Sequence, residues 1–187
     1  MTFEPTDIKD VWLFRPRVFE DSRGHFFESY NEMVFHAQGI LDKFVQDNQS
    51  SSVYGVIRGL HYQLPPFAQS KLVRVLKGKI LDVVVDIRKD SPTYGKVYSQ
   101  ILSAKNKKQL YVPHGCAHGF SVLSKKAEVL YKCDSFYNKE SEGGIRFDDP
   151  SLAIDWKIPS GEEIVSDKDK ELPLFKESKS SFVYKSR

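Results

Sequence analysis

The chain has 187 residues, of which 40% are hydrophobic and 28% charged, with a formal net charge of +3. That length suits one domain around one core, and the composition is that of a soluble globular protein rather than a disordered one. Acids and bases are interspersed, which excludes the basic run of a nucleic-acid binder, and no apolar stretch approaches the ~20 residues that cross a membrane.

Met1-Thr-Phe-Glu-Pro lacks the basic and apolar regions of a signal peptide, so a cytoplasmic protein is expected. Residues 8–19 alternate loosely through Val11, Leu13, Val18 and Phe19 and read as a strand broken at Pro16. Asp21-Ser22-Arg23-Gly24 is turn chemistry, and His25–Tyr30 is again strand-like. Asn31 is placed to cap a short helix that Gly39 ends. Residues 44–52 bring polar groups, Gln46, Asn48 and Ser50. Residues 54–63 are apolar and β-branched, interrupted by Gly55 and Gly59; glycine inside a strand pattern points to a bulge or a close backbone approach. Pro65-Pro66 ends that strand. Further strands are predicted near 71–77, 80–88, 97–103, 108–112, 118–123 and 127–134, with turn signals at 77–79, 91–92 and 105–106. So many short strands, with few and short helices, predict a mainly β sandwich or barrel.

Beyond Pro150 the pattern loosens, and Ser166-Asp-Lys-Asp169 has the form of a capping box. Residues 176–187 form a polar tail, expected either to be poorly ordered or to pack on a neighbouring subunit. The two cysteines, Cys116 and Cys133, are too few for a disulfide framework and read as small buried thiols in a reducing compartment.

The chemistry-bearing residues cluster around one stretch. Arg58 and His61 lie three apart on a strand-like segment, followed by Lys71, His118 and Tyr131 on later strands. Arg58-Gly59-Leu60-His61-Tyr62-Gln63, Pro113-x-Gly115-x-x-His118-Gly119-Phe120 and Asp82-Val-Val-Val-Asp86-Ile-Arg88 together resemble the dTDP-4-dehydrorhamnose 3,5-epimerase family. The resemblance continues at Phe19-x-Asp21-x-Arg23-Gly24-x-Phe26-x-Glu28, Asn48-x-Ser50, Ser91-Pro92-Thr93-Tyr94-Gly95 and Ser166-x-Lys168-Asp169, and so spans nearly the whole chain.

The resemblance implies a cupin-type jelly roll. It implies inversion of carbons 3 and 5 of dTDP-4-keto-6-deoxy-D-glucose through enolates, in dTDP-L-rhamnose synthesis. The ketone is already present, so no redox cofactor is called for. His61 suits the base, because imidazole titrates nearest working pH. Asp169 orients it in the family pattern; its local sequence alone reads as a solvated acid. Lys71 suits the enolate stabiliser, His118 a second group near the keto oxygen oriented by Asp82, and Tyr131 the acid on the far face. Lys71 and a developing imidazolium, if they lie near, would lower the Tyr131 hydroxyl from its ordinary value of about 10.

Arg23 and Arg58 suit the phosphates. Phe19, Phe26 and Tyr137 suit stacking on the base, with Glu28 and Gln46 at its polar edge. Asn48, Gln63 and Asp82 complete the expected substrate-binding set. The family pattern also implies a homodimer in which the Arg23–Glu28 segment reaches the partner's site. Strict alternation sets a difficulty: His61 and Gln63 share one face and Arg58 the other, so Arg58 lines the site only through a bulge near Gly59 or a site at the barrel mouth.

Cupin metal sites commonly use His-x-His with a later Glu and His. Here Gln63 follows His61, which leaves two imidazoles, His61 and His118, unless Asp82 or Asp169 joins them. No metal or other cofactor is expected. Two rivals stay open: an epimerase acting at one carbon or on another nucleotide-linked keto sugar, and, more distantly, a metal-dependent cupin oxygenase. A binding module without catalysis is disfavoured by the complete set of His61, Lys71, Tyr131 and Asp169.

Overall fold

The computed structural model describes residues 1–178 and 180–185. Its strands are β1 (Thr2–Pro5), β2 (Trp12–Arg15), β3 (Val18–Asp21), β4 (Gly24–Phe27), β5 (Gln46–Val53), β6 (Ile57–Gln63), β7 (Lys71–Lys77), β8 (Lys79–Asp86), β9 (Val97–Ser103), β10 (Gln109–Val112), β11 (Cys116–Val122), β12 (Lys126–Cys133) and β13 (Glu142–Gly144). The helices are α1 (Glu32–Ala37) and α2 (Asp167–Lys170), with 3-10 turns at Lys139–Ser141 and Phe175–Glu177.

The strands pair antiparallel into a six-stranded sheet, β1-β2-β10-β7-β12-β5, and a five-stranded sheet, β13-β6-β11-β8-β9, while β3 and β4 form a separate hairpin. The two sheets face each other as a jelly-roll sandwich, the mainly β architecture expected from the sequence. Val73, Val75, Leu110 and Val129 from one sheet meet Ile80, Val84, Phe120 and Val122 from the other in the central core. The far face of the five-stranded sheet carries Leu60, Tyr62, Val83 and Val85, covered by Ile145, Leu152, Trp156 and Val165. The far face of the six-stranded sheet is covered at Phe14, Leu72 and Tyr111 by Phe35 of α1 and by Ile40. Strand β8 therefore has apolar neighbours on both sides, which is why, after the exposed Lys79, it reads as an apolar run interrupted at Asp82 and ended at Asp86. Each aliphatic side chain so buried contributes about 1.5–3 kcal/mol.

The local signals act as their chemistry requires. Pro16 has no N–H to give, and the chain leaves β2 just before it and re-forms as the β3–β4 hairpin just after. Asn31 caps α1, its side-chain oxygen accepting the Met33 N–H at 3.0 Å. Ser166 caps α2, its hydroxyl accepting the Asp169 N–H at 3.2 Å. Three strands depart from expectation. β5 is polar until Val53 and reads only as a polar stretch. β1 and β13 carry no strand signal, because Thr-Phe-Glu-Pro ends in proline and Glu-Gly-Gly reads as a turn. The carboxy-terminal segment packs on its own chain: the Ser180 hydroxyl donates to the Ile87 carbonyl at 2.8 Å, and the Tyr184 N–H donates to the Lys89 carbonyl at 2.8 Å. Lys179, Ser186 and Arg187 of the expected tail lie outside the described residues. Both thiols are buried, and burial pushes that of Cys133 up to about 11.

Candidate active site

The inward rows of side chains that build the core also carry the polar groups. On β7, Lys71 lies two residues from Val73; on β12, Tyr131 lies two from Val129; on β11, His118 lies two from Phe120; on β8, Asp82 lies between Ile80 and Val84. Register adds the rest: Asn48 pairs with Tyr131, Gln46 with Cys133, and His61 with His118.

A bulge resolves the phase of β6. His61 pairs with His118 but Arg58 pairs with Phe120, so three steps on β6 oppose two on β11. The extra residue is Gly59, at φ +122°, where a Cβ would lie 2.6 Å from the Gly119 Cα and 2.8 Å from the His118 carbonyl oxygen. Bulge and close approach thus occur together. Ile57, Leu60 and Tyr62 all pack in the outer layer, which turns Arg58 onto the face of His61 and Gln63. There its Nε donates to the Ser52 hydroxyl at 3.1 Å.

Two imidazole–carboxylate pairs result, and they differ in access. His61 Nε2 lies 2.7 Å from Asp169 Oδ1, and the His61 side chain is 42% exposed to the cleft. His118 Nε2 lies 2.8 Å from Asp82 Oδ1, with that side chain only 7% exposed. Burial alone would raise the Asp169 carboxyl, but His61, the Gly59 N–H and Ser166 hold it below its ordinary range. The Asp169 carboxylate thus serves His61 and Gly59, while only the Ser166 half of the capping box serves the helix.

A cleft of about 540 Å³ opens above this floor, lined by His61, Gln63, Lys71, Tyr131, Gln46, Asn48 and Tyr137, all expected from the sequence. The Lys71 ammonium sits 5.9 Å from the Tyr131 ring centroid. Burial pushes the Lys71 pKa down, against the pull of Cys133 and Asp82. Tyr131 moves opposite to expectation: burial and then Cys133 push its hydroxyl up, and Arg58 pulls it down less. The side-chain amide of Gln63 donates to the Phe67 carbonyl at 2.6 Å and accepts the Asn138 N–H at 2.8 Å, which braces the loop bearing Tyr137. Gln46 accepts the Tyr137 N–H at 3.0 Å and donates to Asn48 at 3.1 Å.

Four expected residues lie elsewhere. Phe19, Arg23 and Phe26 line a separate concavity on the hairpin, with Phe19 51% and Phe26 71% exposed. Arg23 pairs with Asp21 at 2.6 Å, and Glu28 accepts the Asn31 amide at 2.7 Å beside the α1 cap. Conversely, Glu142 and Lys168 line the cleft and form an ion pair at 2.6 Å. Lys168 stands inside the Ser166-x-Lys168-Asp169 motif and so carried a signal; Glu142 stands on β13 and carried none. Among the described residues the three-ligand cluster of metal-binding type is not in the cleft but at Asp42, His114 and Asp134.

Comparison with known proteins places nearly the whole chain among relatives. The family model described as dTDP-4-dehydrorhamnose 3,5-epimerase matches residues 5–177. A Shigella flexneri protein of that name is 54% identical over 165 residues, 88% of this chain and 90% of that one. The crystal structure of dTDP-4-dehydrorhamnose 3,5-epimerase from Elizabethkingia anophelis superposes with a TM-score of 0.91 at 54% identity, covering 94% of this chain and 97% of that one. A Legionella pneumophila dTDP-6-deoxy-D-glucose-3,5-epimerase, solved in complex with dTDP-4-keto-L-rhamnose, superposes with a TM-score of 0.92 at 44% identity, covering 99% of each chain. The fold, the cleft and these matches lead to one conclusion: the chain belongs to the dTDP-4-dehydrorhamnose 3,5-epimerase family.

Proposed function

We propose that the protein is a dTDP-4-dehydrorhamnose 3,5-epimerase, inverting C3 and C5 of dTDP-4-keto-6-deoxy-D-glucose to give dTDP-4-keto-L-rhamnose. The observation that carries this reading is the meeting of an oriented imidazole, a half-buried lysine and a tyrosine in one cleft. His61 removes the proton beside the ketone. The C–H electron pair enters the ring C–C bond, and the carbonyl π pair moves onto O4 to give an enolate. Lys71 and His118 stabilise that charge, and Asp169 stabilises the imidazolium. Tyr131 returns a proton to the opposite face, inverting the carbon; proton transfers through solvent then restore His61 and Tyr131. The upward shift of Tyr131 suits this role, since the hydroxyl keeps its proton until it is needed.

Arg58 takes the phosphates, Gln46 and Asn48 the polar edges of the nucleotide, and Tyr137 stacks on the base. The hairpin brings Arg23, Phe19 and Phe26 to the partner's cleft in a homodimer, with Glu28 near its base; the exposed rings are the feature that supports this. The protein works as one domain in the cytoplasm. Buried free thiols support that location, and among the described residues no helix is long and apolar enough to cross a membrane.

The test is turnover in heavy water, read by NMR. Wild type should place deuterium at both C3 and C5. Tyr131→Phe should exchange substrate hydrogen yet form little doubly inverted product. Exchange at one carbon in wild type would make the protein a single-site epimerase, and normal product from Tyr131→Phe would remove the tyrosine from the chemistry.

A further inference from the structure

Outside the cleft, three metal-ligating side chains converge from separate segments. Asp42 comes from the stretch between α1 and β5, His114 from the turn between β10 and β11, and Asp134 from the residue after β12. Their ligand atoms all lie within 4.8 Å of one another. His114 Nε2 is 2.7 Å from Asp134 Oδ2.

Charge and orientation both matter at this cluster. The Asp134 side chain is only 10% exposed. A carboxylate so buried calls for a counter-charge, yet among the described residues no lysine or arginine pairs with Asp134 or with Asp42. Each carboxylate is also braced by a donor on one oxygen. The Ser70 N–H donates to Asp134 Oδ1 at 2.7 Å, leaving Oδ2 toward the imidazole. The Tyr111 hydroxyl donates to Asp42 Oδ2. Donors on the outer oxygens are what fixes ligating carboxylates in metal sites. A second cleft of about 420 Å³ reaches one of the three, His114; Asp10, Ser70, Tyr111, Arg88 and Lys185 also line it, so an entering cation passes two basic side chains and one acid.

We propose that Asp42, His114 and Asp134 bind one divalent cation of the zinc class. One imidazole and two carboxylates are a donor set that suits zinc, with ligand distances of about 2.0–2.2 Å and a fourth position left for water. The ion would replace the direct His114–Asp134 contact. It would join three segments of chain next to Ser70 and Lys71, at the start of β7. Its place is structural and separate from the reaction, since none of the three side chains lines the catalytic cleft.

The test uses chelator-stripped full-length protein titrated with Zn2+ by calorimetry, with Co2+ absorption as a second reporter. Wild type should take up one equivalent and show a raised Tm. His114→Ala and Asp42→Asn should each weaken binding by about 100-fold or more, because losing even an outer-shell partner costs 10–100-fold. His114 is exposed and Asp42 half-buried, so circular dichroism should match wild type; the zinc-free Tm of each variant is its own baseline, because His114→Ala removes a partner of Asp134 and Asp42→Asn alters the bond from Tyr111. His61→Gln should bind zinc normally, and so should Cys133→Ala. Absence of uptake by wild type, undiminished uptake by both His114→Ala and Asp42→Asn, or loss of uptake in His61→Gln would each overturn the site.

Discussion

His61 and His118 face each other across β6 and β11, each with its own aspartate, yet one is open to the cleft and the other nearly dry. In the proposed mechanism, access sets the division of labour: the open imidazole would meet a substrate proton, and the dry one would support charge at the floor. Lys71 supplies the pH test. Burial lowers its pKa, so its ammonium loses a proton at a lower pH than an ordinary lysine, whose value is about 10.4. Tyr131 is shifted the other way and ionises later. Loss of the Lys71 charge, drawn to lower pH by burial, should set the alkaline limb of kcat/KM. In Lys71→Arg the guanidinium stays charged, so that limb should move to higher pH while the maximum rate falls. An unmoved limb in a pH–rate profile would assign it to another group. Most of these residues were legible because histidine, lysine and tyrosine announce their chemistry wherever they stand. Glu142 was not, since an isolated glutamate before two glycines looks like a turn on any surface.

At the scale of the element, the Gly59 bulge decides what β6 can do. Without it, Arg58 would lie in the outer apolar layer with Leu60 and Tyr62 rather than beside His61. Gly59→Ala would push a methyl into the Gly119 Cα and the His118 carbonyl. It should cost about 1–3 kcal/mol from overpacking alone and should depress activity further by displacing both Arg58 and His118. Gly39→Ala is the control: it has a positive φ of +87° but, among the described residues, nothing within 4 Å of the added carbon, so backbone strain is what the substitution adds. Urea midpoints for the two variants, read beside their kcat/KM, separate the effects; equal losses would deny the bulge a special role. Strands such as β7 and β9 were legible to their ends, because apolar runs bounded by glycine, proline and polar turns leave little choice. The side on which Arg58 stands was not, because alternation counts residues and a bulge changes the count. Asp169 was similar: its partner is 108 residues away in sequence, and no local pattern encodes that distance.

At the scale of the molecule, the chain presents two concavities of about 540 Å³, one with the catalytic candidates and one on an exposed hairpin. If the hairpin completes a partner's cleft, two defective proteins should repair each other. His61→Ala supplies a sound hairpin and Arg23→Ala a sound cleft. Each alone should be poor: the first in turnover by about 10²–10⁴-fold, the second in KM. Mixed and allowed to reassort, they should regain roughly a quarter of wild-type activity, since half the dimers are mixed and each has one intact site of two. No gain over the separate proteins, despite proven exchange of subunits, would confine the site to one chain.

The two concavities also differ in what holds them. Lys71, Tyr131 and His118 hang from strands whose neighbouring residues, Val73, Val129 and Phe120, are the core itself. The hairpin pairs only with itself and lies outside both sheets. Heat therefore acts on two parts of unequal durability. If the hairpin holds a partner's nucleotide as proposed, the chemical machinery should outlast that grip, which rests on an arm outside both sheets. Such an enzyme, warmed, should lose hold of its substrate before it loses turnover.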